Sequence, residues 1–322
     1  MPVLKSNYKA PLPFQNAHLA TIYAAMLRKV KLEINRRERL ELADGDFLDL
    51  DWCYAENIHS DKLLIVTHGL AGNALRPYML GIAKAFTEKG WNVALLNFRS
   101  CSGEINRLYR SYNAGATEDL AEVIQFAIQK KNYKKIALAG FSLGANLLLK
   151  YLGEPGEIPK EIQSAVAVSV PCDLGASLKE LNKSTNSIYS KRFQKNLKKQ
   201  LFERQLLFPQ EISKEEITAC NSLRAIDELY TSRAHGYQNA AEYYEKCSCL
   251  GFLSNISIPS LIINAKNDSF LSSNSYPVEI AENSDMLYLE IPRYGGHVGF
   301  IQKGKYYYHE KRALDFINSH ST

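Results

Sequence analysis

Six short apolar runs constrain this chain more than any other feature: residues 63–67 (LLIVT), 93–96 (VALL), 136–139 (IALA), 165–170 (AVAVSV), 261–264 (LIIN) and 286–291 (MLYLEI). Each is rich in Val, Ile, Leu or Ala and bounded by Gly, Pro, Asn or charge. A strand with one wet face alternates apolar and polar side chains. Runs without that alternation suit strands covered on both faces, as in a parallel sheet. Helical stripes lie between most of them. Residues 77–89 carry Met79, Leu80, Ile82, Ala83 and Phe86, and residues 116–131 carry Leu120, Val123, Ile124, Ala127 and Ile128. The alternation predicts an α/β protein with a mostly parallel, doubly wound sheet.

Two segments depart from the rhythm. Residues 39–42 and 47–52 flank Ala43-Asp44-Gly45-Asp46, which reads as an antiparallel hairpin ahead of the parallel part. Residues from about 172 to 251 are charged and Tyr-rich, with helix-like pieces at 177–181, 214–230 and 239–246. The strand pattern resumes at Pro259, so this stretch reads as a helical cap inserted between two strands. The expectation is one domain over residues 1–322, a length that suits an α/β domain with an insertion.

Composition narrows the function classes. With 46% hydrophobic and 23% charged residues, the chain can bury a sizeable core. Its net charge of +5, from 39 basic and 34 acidic residues, is too small an excess to indicate nucleic acid. Basic clusters at 28–39 and 191–199 read as solvated faces, with weak contact to a membrane surface as the alternative. None of the six cysteines sits in a C-x-x-C pair, so zinc is not expected. Asp44, Asp46, Asp49 and Asp51 lack the terminal glutamate of a calcium loop. A turn accounts for the first pair, and the outward face of the next strand for the second. No metal or cofactor is called for. Without a signal peptide or an apolar run of spanning length, a soluble cytoplasmic chain is the expectation.

The chemistry centres on Gly140-Phe141-Ser142-Leu143-Gly144, which follows the run KKIALA and precedes the helix-like ANLLLKYLGE. A serine in a tight strand-to-helix turn takes a strained backbone and projects its Oγ at the carboxyl end of the sheet. Gly140 and Gly144 relieve crowding in that turn, and the helix N-terminus favours a developing oxyanion. Such a serine needs a base, and the base needs an orienting group. Asp268 follows the run SLIIN, and His297 follows MLYLEI at Tyr294-Gly295-Gly296. The order Ser142, Asp268, His297 therefore supplies nucleophile, acid and base, each on its own strand-end loop. Leu143 N–H and Leu70 N–H, the latter in the loop His68-Gly69-Leu70-Ala71-Gly72-Asn73, are the candidate oxyanion-hole donors. Gly69 would permit close backbone approach there. His68 precedes the nucleophile strand and reads as structural. His309 and His320 read as surface residues. Cys101 and Cys172 lie near strand ends, but the serine turn makes a cysteine nucleophile the poorer reading.

Several stretches together resemble the YheT-like family of α/β-hydrolases: THGLAGN at 67–73, NFRSCSGE at 97–104, GFSLGANLLLKYLGE at 140–154, SVPCDL at 169–174, IINAKNDSF at 262–270 and GGHVGF at 295–300. So do PFQNAHLATIY at 13–23 and RAIDELYTSRAHG at 224–236. The resemblance implies the α/β-hydrolase fold and maps nucleophile, acid and base onto Ser142, Asp268 and His297. It also implies kinship with eukaryotic esterases and acyltransferases acting on medium-chain acyl groups or phospholipids. The sequence departs from the family at Ala17, Ala20, Ser100 and Ser102, outside these three residues.

Three functions follow. The first is a carboxylesterase for short- to medium-chain acyl esters or lipid-like substrates, working through an acyl-enzyme. The second is an acyltransferase using the same intermediate. The third is a non-catalytic binding protein on the same fold. In the first two the cap would line an apolar pocket, with Tyr189, Tyr230, Tyr237, Tyr243 and Tyr244 as candidates.

Overall fold

The computed structural model describes residues 2–56 and 60–321. Met1 and Thr322, the outer ends of the expected 1–322 span, lie outside the described residues. The strands are β1 (Val3–Leu4), β2 (Arg36–Glu41), β3 (Phe47–Cys53), β4 (Lys62–Thr67), β5 (Asn92–Asn97), β6 (Lys135–Phe141), β7 (Ile162–Val168), β8 (Ser260–Ile263) and β9 (Leu287–Glu290). They form one sheet in the order β1-β9-β8-β7-β6-β4-β5-β3-β2. Pairing is parallel from β1 through β5, and β3 is antiparallel to both β5 and β2. The six apolar runs are β4 to β9. The hairpin is β2–β3, and the two-residue edge strand β1 gave no signal in the sequence.

The helices are α1 (Ala17–Ile22), α2 (Pro77–Thr87), α3 (Thr117–Gln129), α4 (Leu143–Gly153), α5 (Leu174–Leu181), α6 (Ser187–Leu207), α7 (Lys214–Ala219), α8 (Leu223–Ile226), α9 (Ser232–Ala234), α10 (Ala240–Cys247), α11 (Val278–Glu282) and α12 (Tyr308–Ser319). Alternate strand residues explain why no polar alternation was visible. Leu63 and Ile65 face Leu120, Ile124, Leu147 and Leu148, whereas Leu64 and Val66 face Met79, Ile82, Phe86 and Ile317. Both faces of the sheet are therefore covered, by α3 and α4 on one side and α2 and α12 on the other. Chain order reverses at β4, which lies between β5 and β6. Ligands of open α/β sheets collect at the carboxyl ends of strands around such a reversal. The loops after β4 and β6 open there side by side.

Between β7 and β8 the chain is helical from α5 to α10, ending in a 3₁₀ stretch at Cys249–Asn255. Its longest element, the 21-residue α6, fills a stretch that the sequence reading left as a basic run.

Two expectations are corrected. His309 is fully buried rather than superficial. It packs edge-on to Phe141 and Phe300, and burial, with Arg28 nearby, keeps its imidazole well below the usual pKa. His320 is half-buried against Phe316 and Tyr288. The second correction concerns Asp49 and Asp51, which do not lie on an open face. Antiparallel register sets Asp49 opposite Arg39 and Asp51 opposite Arg37, and each guanidinium covers its carboxylate at 2.9 and 2.6 Å. A charge buried this deeply is tolerated because it is paired. Asp46, also fully buried, is held by Arg99 and Asn106.

Candidate active site

The turn from β6 into α4 places Ser142 at φ 53°, ψ −119°, a conformation costly for a residue with a side chain. The neighbouring glycines show why the chain can make this turn. A Cβ on Gly140 would lie 2.7 Å from Ala145 Cα, and one on Gly144 would lie 2.5 Å from the His68 carbonyl oxygen. The turn is further tied by Ser142 N–H donating to Val168 O at 2.9 Å and Thr67 Oγ1 donating to Gly144 O at 3.0 Å. Gly69 also belongs to this close approach, since a Cβ there would sit 3.2 Å from the Ser142 Cβ.

Loops after β8 and β9 bring the other two residues to the serine. His297 Nε2 lies 2.9 Å from Ser142 Oγ, and His297 Nδ1 lies 2.8 Å from Asp268 Oδ2. The remaining Asp268 oxygen accepts from Phe270 N–H at 2.9 Å. Asp268 is buried, so its carboxylate is held in one orientation. This arrangement makes Nδ1 the protonated nitrogen of His297 and leaves Nε2 to accept from the serine hydroxyl.

The loop after β4 leaves a donor free beside the serine. Gly69 N–H donates to Tyr78 Oη at 3.1 Å, Ala71 N–H to Tyr112 Oη at 2.9 Å, and Gly72 N–H to Gly69 O at 3.0 Å. Leu70 N–H, between them, donates to no described residue. Leu143 opens α4, so its N–H has no helical carbonyl to reach. Both residues border the cavity that contains Ser142 and His297. His68 is buried beneath this loop. Its Nδ1 donates to Gly69 O at 2.8 Å and its Nε2 accepts from Phe98 N–H at 3.2 Å. Burial lowers its pKa to about 4, so it stays neutral as a brace. Burial also pushes the Cys101 thiol up to about 12, away from nucleophilic use.

The sequence profile of the alpha/beta hydrolase fold matches residues 62–304. A protein of Escherichia coli (strain K12) named "Putative esterase YheT" is 34% identical over 293 residues, covering 89% of this chain and 85% of that one. The chain belongs to the YheT-like α/β-hydrolase family. Human "Phospholipase ABHD3" is 29% identical over 275 residues, covering 83% of this chain and 67% of that one. Among solved structures, an esterase of Pyrococcus furiosus superposes with a TM-score of 0.59 at 18% identity, covering 89% of this chain and 91% of that one. At that identity the likeness speaks for the fold alone. No helix among the described residues is long and apolar enough to cross a membrane.

Several residues that shape this YheT-like site escaped the sequence reading. Thr21, on α1, accepts from His297 N–H through Oγ1 at 2.9 Å, so the N-terminal segment reaches the histidine loop. Asn267 Oδ1 accepts from Gly296 N–H at 3.0 Å, while its Nδ2 donates to Gln15 O at 3.0 Å. Phe270 stacks on the His297 ring with centroids 4.3 Å apart. Ser169, at φ 54°, accepts from Val298 N–H through Oγ at 2.9 Å. All four lie within stretches that carried the family resemblance, Thr21 in 13–23, Ser169 in 169–174 and Asn267 and Phe270 in 262–270, but no local pattern marked the contacts they make.

Two apolar chambers meet at Ser142 and His297. One runs under α1, the π-helical turn Tyr23–Leu27 and the start of α6, past Ile22, Ala25, Met26 and Tyr189. The other runs under α5 and α8, past Leu174, Leu178, Leu181, Leu223 and Tyr244. Of the five tyrosines singled out from the sequence, Tyr189, Tyr243 and Tyr244 border these chambers. Tyr230 instead donates to Tyr109 O at 2.6 Å, and Tyr237 packs against Cys247.

Proposed function

We infer that this hydrolase cleaves carboxylic esters through an acyl-enzyme on Ser142. The observation that carries the reading is the continuous hydrogen-bonded line from Asp268 through His297 to Ser142 at 2.8 and 2.9 Å. Ser142 Oγ attacks the ester carbonyl carbon as its proton passes to His297 Nε2. Asp268, bonded to the other ring nitrogen, stabilises the imidazolium. The carbonyl oxygen becomes an oxyanion and accepts hydrogen bonds from Leu70 and Leu143 N–H. When the tetrahedral adduct collapses, the ester C–O bond breaks and Nε2–H protonates the departing alcohol. Water then attacks the acyl-serine, giving its proton to His297, and the carboxylic acid leaves with Ser142 restored.

The chambers support an ester with apolar groups extending from its carbonyl. In this reading the helices between β7 and β8 act as the cap over the site, and one chamber takes a short- to medium-length acyl chain. The esterase and phospholipase names of relatives agree with cleavage of such esters. A p-nitrophenyl ester series of increasing acyl length tests the proposal. Wild type should show a chain-length optimum, and Ser142→Ala should lose on the order of a millionfold in kcat. Equal turnover by the two proteins contradicts it.

A further inference from the structure

We propose that the face formed by α6 and the N-terminal segment docks on an anionic lipid surface, with the mouth of the Ser142 chamber turned toward that surface. The two segments that frame the mouth share an unusual charge pattern. Residues 2–32 contain Lys5, Lys9, Arg28, Lys29 and Lys31 and no carboxylate. Residues 181–202 contain Lys183, Lys191, Arg192, Lys195, Lys198 and Lys199 and again none. Arg28, Lys183 and Lys199 are paired with Glu310, Glu180 and Glu203. Lys29, Lys191, Arg192 and Lys195 are exposed and ion-pair with no described residue.

Apolar side chains project from the same segments. Met26 is 58% exposed, Leu27 62% and Ile188 72%, and Leu19 on α1 is exposed too. Met26, Ile188 and Arg192 border the chamber itself. The segments touch where His18 Nδ1 lies 3.1 Å from Tyr189 Oη, so this is one continuous surface. Along α6 the outward positions Ile188, Arg192, Lys195, Lys199, Phe202 and Leu206 recur at intervals of three and four. They make one stripe about 27 Å long, with apolar ends and a cationic middle. Large exposed apolar groups beside cations fit the interfacial zone of a bilayer, where the apolar groups enter the acyl boundary and the cations meet headgroups. The uncompensated positive charge selects a negatively charged surface over a neutral one.

Sedimentation with vesicles of phosphatidylcholine alone, or mixed with phosphatidylglycerol, tests this independently of the acyl-enzyme reading. Both wild type and Ser142→Ala should bind the mixed vesicles and release them as salt is raised. The triple variant Lys29→Glu/Lys191→Glu/Lys195→Glu changes no chamber residue. It should keep turnover of a soluble short-chain ester, showing that it folds, while its partition onto mixed vesicles falls by at least roughly a hundredfold, the loss of three surface lysines alone, with three repelled carboxylates adding to it. Equal binding to both vesicle types, unchanged binding by the triple variant, or dimerisation through this face without vesicle binding overturns the proposal.

Discussion

The carboxyl edge of the sheet and the helices above it are built on different terms. At the edge, position is set by backbone sterics. Ser142 holds a strained φ because Gly140 and Gly144 let β4, β6 and α4 approach within distances no Cβ could share. The roof of α1, α5, α6 and α8 is set by side chains: an apolar stripe facing the chambers, ion pairs and exposed cations outside. The proposed chemistry thus resides where a single added methyl collides, and the proposed selectivity where side-chain volume can change without moving the chain.

The sharpest way to break this comparison is at the edge. Gly144→Ala should destabilise the protein by about 3 kcal/mol, because the colliding atoms are backbone and cannot swing away. Urea unfolding at fixed m-value measures it, and an unchanged midpoint would remove the steric argument. Next is a half-buried carboxyl that borders the chamber under α5, just past α8. Burial raises the Asp227 carboxyl to about 6, against hydrogen bonds from Tyr244 and Thr231 that pull it down. The folded state therefore holds the proton more tightly than the unfolded chain does. This contribution is fully present below about pH 4 and is lost as pH rises through about 6. The lost stability is on the order of 2 to 3 kcal/mol, so a melting-temperature profile should fall across that window, and Asp227→Asn should flatten it.

Two smaller effects sharpen the contrast. Thr21→Val leaves His297 N–H without its acceptor and should lower kcat roughly tenfold, with little change in KM. A rise in KM alone would place Thr21 in substrate binding instead. Leu181→Trp fills part of the chamber under α5. It should move the preferred acyl or alcohol group to a shorter one while altering folding stability by less than about 1.5 kcal/mol. A matching loss on every ester would show that the roof is not where selectivity lies.

The same contrast explains what could be read from the sequence. Buried parallel strands announce themselves as apolar runs, and Ser142, Asp268 and His297 each follow one. Their juxtaposition was legible because strand ends are brought together by the sheet itself. α6 was not legible, because its inward face mixes Phe193, Leu197 and Leu201 with the buried polar residues Ser190 and Arg204. Arg204 donates to Ser100 Oγ and to the carbonyls of Leu108 and Tyr109, so a cation just past the basic run is an anchor. Thr21 was hidden for another reason: its partner His297 is 276 residues away, and nothing local marks a hydroxyl that accepts from so distant an N–H. Asp49 and Asp51 misled because alternation alone cannot tell an open face from one roofed by arginines.

The proposed chemistry rests on one oxygen atom, Ser142 Oγ, and covalent trapping addresses it most directly. Incubation with a fluorophosphonate, followed by intact-mass and peptide analysis, should give one adduct per chain, on Ser142. His297→Ala should slow its formation on the order of a thousandfold or more, and Ser142→Ala should abolish it. An adduct on any other residue, or labelling of Ser142→Ala at the wild-type rate, would contradict the account.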